Sequence, residues 1–163
     1  MHDPLEPVVA EKYPALARDL IAPLLHLLTV ARDLCGGDLD KFLVLLAIGM
    51  RTAVHPDFAK ADQDALLRGA IEIFPSLGIN VQGVADSVAM PKETARRKIA
   101  EMIELGWLHR QNNRLHVTAA GYLALAPLRQ EMERAALKNY RTIEAVAATA
   151  SEPPASARRA ARR

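Results

Sequence analysis

The chain has 163 residues, half of them hydrophobic and only seven aromatic, with a formal net charge of +2. That length suits one compact domain or a small domain with helical extensions, and the alanine- and leucine-rich composition favours a mainly α fold over a β-sandwich. A lone cysteine, Cys35, excludes an intramolecular disulfide, and the N-terminus lacks the basic-then-apolar order of a secretory signal, so a cytoplasmic location is expected.

Residues 1–14 hold Pro4, Pro7 and Pro14 and read as an irregular arm, followed by a helix at about 15–35 that Gly36 and Gly37 end. Leu16, Leu20, Ile21, Leu24, Leu25, Leu28 and Ala31 recur at helical spacing, and Pro23 inside the pattern should kink or break it. Asp38 or Asp40 can cap the next helix, at about 39–53, whose apolar face is read as Leu39, Phe42, Leu43, Leu46 and Met50. His55-Pro56-Asp57 stops it. The apolar stretches at 20–31, interrupted by His26, and at 42–50 fall short of the roughly 20 residues that span a bilayer. Both are read as buried core helices, and no membrane is expected. A further helix at about 62–74 opens on Asp62 and Asp64 and turns Leu66, Leu67, Ala70, Ile71 and Phe74 inward. His26 reads as a core or helix-surface histidine and Cys35 as a small buried apolar residue.

Charge is unevenly spread along this order. Residues 1–90 carry seven basic against twelve acidic side chains, net −5. Residues 91–116 carry Lys92, Arg96, Arg97, Lys98, Arg110 and Arg114 against Glu93, Glu101 and Glu104, net +3. Residues 117–150 add +1, and the tail, with Arg158, Arg159, Arg162 and Arg163 against Glu152, adds +3. A local positive surface on an otherwise mildly acidic chain is what a phosphate-facing element needs.

The first of the two positive segments has a legible architecture. Asn80 is a good N-cap for a short helix at about 81–88 with Val84, Ala85 and Val88 inside. Ala89 and Met90 make a tight connection, and Pro91 at the N1 position starts a second helix, 91–105, that Gly106 terminates. Two helices joined so closely read as a helix-turn-helix. Ala95, Ile99, Met102 and Ile103 form the buried stripe of the second helix, leaving Lys92, Glu93, Arg96, Arg97 and Ala100 outward on the half that meets base edges in a major groove. Arginine there can hold guanine bidentately or pair with phosphate; the alternative is a solvated face in which Arg96 and Arg97 pair with Glu93, Glu101 or Glu104. Gln111-Asn112-Asn113-Arg114 between two alternating apolar and polar runs reads as a β-hairpin at 108–117, with Arg110, Asn112, Asn113 and Arg114 at its tip, free to reach a phosphate or the minor groove.

Val84-Ala85 through Pro91-Lys92-Glu93-Thr94, then Arg97, Met102, Gly106-Trp107-Leu108-His109-Arg110 and Leu115-His116-Val117-Thr118-Ala119-Ala120-Gly121 resemble the winged-helix core of MarR-type bacterial regulators over about 45 residues. The resemblance implies that Thr94 and Arg97 stand at recognition-helix positions that contact DNA, and that Arg110 is the basic residue of the wing's first strand. The sequence departs from the family in a shorter wing and in Asn112-Asn113 at the place of an acidic tip residue.

After the hairpin a helix at about 119–148 is expected, capped by Thr118 and broken or bent by Pro127, with Leu125, Leu128, Met132, Ala136, Tyr140, Ile143 and Ala147 as its stripe. Such a stripe wants either a second protomer's helix or the N-terminal helices folded back on it. The last residues, 151–163, are poor in bulky apolar side chains and read as a disordered basic tail, either a nonspecific phosphate binder or a solvated end.

The expected organisation is residues 1–71 for packing or dimerisation, with room for a small-molecule effector that no residue set supports. A winged helix-turn-helix domain follows at 72–122, then a dimerisation helix at 123–150 and the tail. No metal spacing, phosphate-binding glycine loop or hydrolase elbow is present, and His109 and His116 are too isolated to argue for a metal. No cofactor and no enzymatic activity are therefore expected. The sequence reads as a sequence-specific, homodimeric transcription regulator bound to double-stranded DNA and nucleoid-associated when bound. The alternative is a winged-helix protein-interaction module without specific DNA binding.

Overall fold

The computed structural model describes residues 5–150; residues 1–4 and the arginine-rich tail at 151–163 lie outside the described residues. The chain is mainly helical with one small antiparallel hairpin. The first helix, α1, runs Glu6–Leu34 without interruption through Pro14 and Pro23. The irregular arm read from the three early prolines is thus corrected to helix from Glu6 onward. A proline inside a helix costs one hydrogen bond and a clash with the preceding turn. Leu5, Val9 and Tyr13 of this stretch line an open groove with Ile143 of the C-terminal helix.

Gly36 and Gly37, with φ of 66° and 90°, reverse the chain into α2, Leu39–Ala53. Asp38 is its cap, accepting from the backbone N–H of Asp40 and Lys41 at 3.0 and 3.3 Å. The buried face of α2 is Phe42, Val44, Leu45, Ile48 and Thr52, while Leu39, Leu43, Leu46 and Met50 are exposed. The expected face is corrected: α2 is apolar on two sides, periodicity cannot choose between them, and contacts with later elements decide.

Two short helices follow, α3, Pro56–Ala59, and α4, Gln63–Leu67, capped by His55 and Asp62. The helix expected to reach residue 74 stops at Leu67, since Gly69 turns left-handed and the following stretch extends to pair its backbone with the hairpin region. Ile73 bridges Thr118 and Ile79 bridges Leu115. Phe74 is buried between Phe58 and Tyr122, with ring centroids 6.0 and 4.9 Å away.

Asn80 caps α5, Val81–Ser87, its Oδ1 accepting from Gly83 N–H at 2.8 Å. Ala89 takes φ of 50° in the tight connection to α6, Lys92–Glu104. Pro91 is the N-cap, one position earlier than the N1 expected, and offers no side-chain cap. Gly106 at φ 72° ends the helix and leads to β1, Leu108–Gln111, and β2, Arg114–Val117. Asn112 and Asn113 have φ of 47° and 60°, the paired left-handed values of a two-residue type I′ turn. Thr118 caps α7, Ala119–Ala124, accepting from Gly121 N–H at 3.0 Å while donating to Gly106 O at 2.6 Å. The long C-terminal helix expected from residue 119 is divided at Leu125, and α8, Ala126–Ala150, carries Pro127 in its first turn, where the missing N–H is harmless.

Two compact units result. In the unit Val30–Arg129, α2 packs against α5, α6 and β2, and Val44, Ile48, Phe74, Val84, Ile99, Met102 and Leu115 make its core. The other unit consists of the described residues of Met1–Thr29 and Gln130–Arg163, that is most of α1 and α8. Its buried side chains include Leu16, Val146 and, unexpectedly, Glu131, whose Oε2 lies 3.3 Å from His26 Nε2 and which also pairs with Arg134. The Arg134 guanidinium and the His26 imidazole nitrogen give this carboxylate partners at an interior helix position. Within this unit the covered face of α8 runs through Glu131, Ala135, Asn139 and Val146, and Met132 and Tyr140 of the expected stripe are exposed. α1 is not the buried core helix expected either, because Ile21, Leu24 and Leu25 are at least half exposed. By length and composition alone, α1 is also apolar enough to cross a membrane, as core helices of soluble proteins and signal sequences can be.

Candidate nucleic-acid interface

Helix α6 separates its faces sharply. Ala95, Ile99 and Met102 are fully enclosed, so apolar burial selects the side of the helix that faces the core. Lys92, Glu93, Arg96, Arg97 and Ala100 are exposed and Thr94 is half-buried. Glu93, Thr94, Arg96, Arg97 and Ala100 line one depression on this side. Because Pro91 gives no side-chain cap, the first-turn N–H groups add a partial positive charge to that end.

The two arginines differ. Arg96 is bound to Glu93 on its own helix, Nε and Nη2 lying 2.9 and 2.8 Å from Oε2, which is the partner foreseen for a solvated face. Arg97 makes no ion pair among the described residues and reaches Glu101 only through its field. Its guanidinium keeps its full set of donors for an external acceptor.

On the hairpin, Arg110, Asn112 and Asn113 are exposed, with Arg110 opposite Leu115 in register. Arg114 is exposed, but its guanidinium is engaged with the protein's own backbone and not free to reach outward as expected. Its Nη1 donates to the carbonyls of Leu77 and Gly78 at 3.3 and 3.4 Å. Its stem lies so close to Gly78 that a Cβ there would sit 2.9 Å from Arg114 Cβ. Arg51 Nε points at the same Gly78 carbonyl, at 3.4 Å. The two arginines hold the extended 77–78 segment beside β2. His109 and His116 face each other across the strands. Burial pushes the His116 imidazole below its ordinary range, and His109 and Arg114 add to that.

Sequence reading missed the group behind this surface. Lys98, with its side chain only 6 % exposed, takes the place given to Ile103 in the buried stripe. Its Nζ lies 2.5 Å from Asp38 Oδ2 and 3.6 Å from Asp40 Oδ2, while Lys41 of α2 lies 2.5 Å from Glu101 of α6. Burial opposes the charge on Asp38, yet the Lys98 hydrogen bond and the amides of Lys41 and Asp40 hold its carboxyl below its usual range. The hydrogen bond from Lys41 lowers Glu101 likewise, and Glu101 in turn raises Lys41. The available signal was spacing: Lys98 falls three residues after Ala95 and four before Met102, on the inward side.

Among the described residues no group of three or more histidine, cysteine or acidic side chains stands close enough to hold a metal. Cys35 is buried, and burial pushes its thiol up, as does the Asp38 charge, so it lacks thiolate character. No family model, no curated protein and no solved structure matches the chain.

Proposed function

We propose that this chain is a sequence-specific DNA-binding transcription regulator of the winged helix-turn-helix type, with α6 entering the major groove and the β1–β2 hairpin as the wing on backbone or minor groove. The observation that carries the reading is the two-sided character of α6, a fully enclosed apolar face opposite an exposed one bearing Lys92, Thr94, Arg96 and Arg97. A major groove about 12 Å wide admits such a helix, and arginine is the commonest specific reader of guanine. Element order supports it: α2, an extended bridge at Ile79, α5, a tight turn, α6 and a hairpin whose β2 pairs on both sides. The MarR resemblance of residues 84–121 falls on this same segment.

In this reading the chain acts as a homodimer, since half-sites need two copies at fixed spacing. Ile21, Leu24 and Leu25 on α1 and Met132, Leu137 and Tyr140 on α8 supply exposed apolar side chains for a second copy. A second reading, a protein-interaction module, is favoured by the exposed Leu39, Leu43, Leu46 and Met50 on α2. Selection of bound DNA from a random pool tests the first reading. Enrichment of an inverted repeat, with affinity falling steeply as salt rises, is expected. Recovery of no common sequence and salt-independent binding to protein partners would overturn it in favour of the second.

A further inference from the structure

We propose that Lys98 and Asp38, seconded by Lys41 and Glu101, are positioning residues that fix the rotation and register of α6 and thereby decide which of its side chains face DNA; the inference rests on the DNA-reading function above. The apolar contacts of α6 are poor at this task. Ala95, Ile99 and Met102 are buried by a non-directional force, which selects the inward side of α6 but does not by itself single out one rotation and register.

The charges are directional and their order is informative. From the start of α2 the sequence runs acid, acid, base at Asp38, Asp40 and Lys41; on α6 it runs base at Lys98 and acid at Glu101. Lys98 meets the acids and Glu101 meets the base. Sliding α6 by one turn in one direction would set Lys98 against Lys41, and in the other Glu101 against Asp38 and Asp40. Only the observed register has both pairs attractive, which is the way polar groups in helical interfaces specify register.

Asp38 adds a second constraint. One carboxylate oxygen caps α2 through the N–H groups of Asp40 and Lys41, and the other holds Lys98 Nζ. The angular position of α6 is thereby tied to the first turn of α2, not to a flexible surface side chain. Lys98 stands next to Arg97 and four residues after Thr94, so a rotation released at Lys98 moves both outward-facing positions together. A buried pair of this kind adds little net stability over an apolar residue of similar volume. Its value in this chain is the single orientation.

Base preference, read beside stability, makes the proposal testable with Lys98→Met. The variant should melt below the native temperature, because Asp38 is left without its cation, and should also lose about tenfold or more in affinity for the selected DNA and accept a broader set of bases, while Lys98→Arg recovers much of the preference. A merely structural lysine would lower the melting temperature and leave base preference intact. Residual dipolar couplings of the α6 amides, measured on the full chain without DNA, read the helix orientation directly. A changed α6 orientation relative to α2 in Lys98→Met is expected, and unchanged couplings overturn the proposal whatever the DNA result. If the native protein selects no sequence, the DNA reading fails on its own, and the couplings still decide the role of Lys98. Should Lys98→Met fail to fold, the more exposed Glu101→Gln carries the same two measurements with a smaller expected reorientation.

Discussion

Helices α2 and α6 bury one face each in a common core, and their other faces differ. The outward side of α6 is Lys92, Glu93, Arg96 and Arg97; the outward side of α2 is Leu39, Leu43, Leu46 and Met50. Apolar burial and the Lys98–Asp38 pair account for the inner faces, so the outer ones record what each helix meets in water. A basic face beside a helix N-terminus suits phosphate and base edges, whereas a run of leucines suits an apolar partner. The contrast also shows how amphipathicity is read. In α6 the polar face identifies the inner one by elimination; in α2, apolar on both sides, the pattern leaves two solutions and tertiary contacts choose.

The strongest way to break the comparison is to exchange the roles of the faces. Ile48→Ala on α2 and Ile99→Ala on α6 should each cost about 2–5 kcal/mol in denaturant unfolding, because both are completely enclosed. Met50→Lys, at 57 % exposure, should stay within about 0.5 kcal/mol of the native protein. A Met50→Lys cost as large as that of Ile48→Ala would mean that the outer face of α2 is covered in solution.

A second test sharpens the comparison within α6. Arg97→Ala should weaken binding to the selected DNA by about 1–3 kcal/mol with folding unchanged, because its donors are unspent in the free protein. Arg96→Ala should lose less, since the guanidinium must first leave Glu93, and Glu93→Gln should tighten binding by removing both that competitor and a negative charge facing phosphate. Equal losses at Arg96 and Arg97 in titrations at fixed salt would show that the Glu93 pair is irrelevant to DNA reading.

What the sequence revealed was local. The caps at Asn80 and Thr118, the Asn112-Asn113 turn and the exposed face of 92–100 depend on side chains within a few residues of the backbone they serve, and the sequence states them directly. What it concealed was set by distant partners. Pairing of Ile73 with Thr118 drew residues 70–74 out of the expected helix, and Glu131 became interior beside His26. Lys98 became interior through Asp38, sixty residues away. At the candidate interface, the exposed side chains of α6 were legible for the first reason, and the commitment of Arg114 to a loop 36 residues earlier was hidden for the second.

Arg114 supplies the smallest expected effect and the finest distinction between a cation that serves the fold and one that serves a ligand. A wing-tip arginine touching phosphate would, on replacement by alanine, lower affinity uniformly across sequences and shrink the salt slope by about one unit. The geometry here points elsewhere, since the guanidinium already donates to two backbone carbonyls and the stem packs on Gly78. Both contacts are long, and the one to Leu77 is solvent-exposed, so their loss should cost only about 0.5–1 kcal/mol of stability. Arg51 still reaches the Gly78 carbonyl and keeps the segment in place. Arg114→Ala should therefore lower the unfolding midpoint slightly and leave the salt slope unchanged, while Arg110→Ala, with no such anchor, should reduce the slope and spare the midpoint. Measured together across a salt series, a reduced slope for both variants would mean that Arg114 leaves Leu77 and Gly78 when DNA is bound and that the hairpin offers phosphate two arginines.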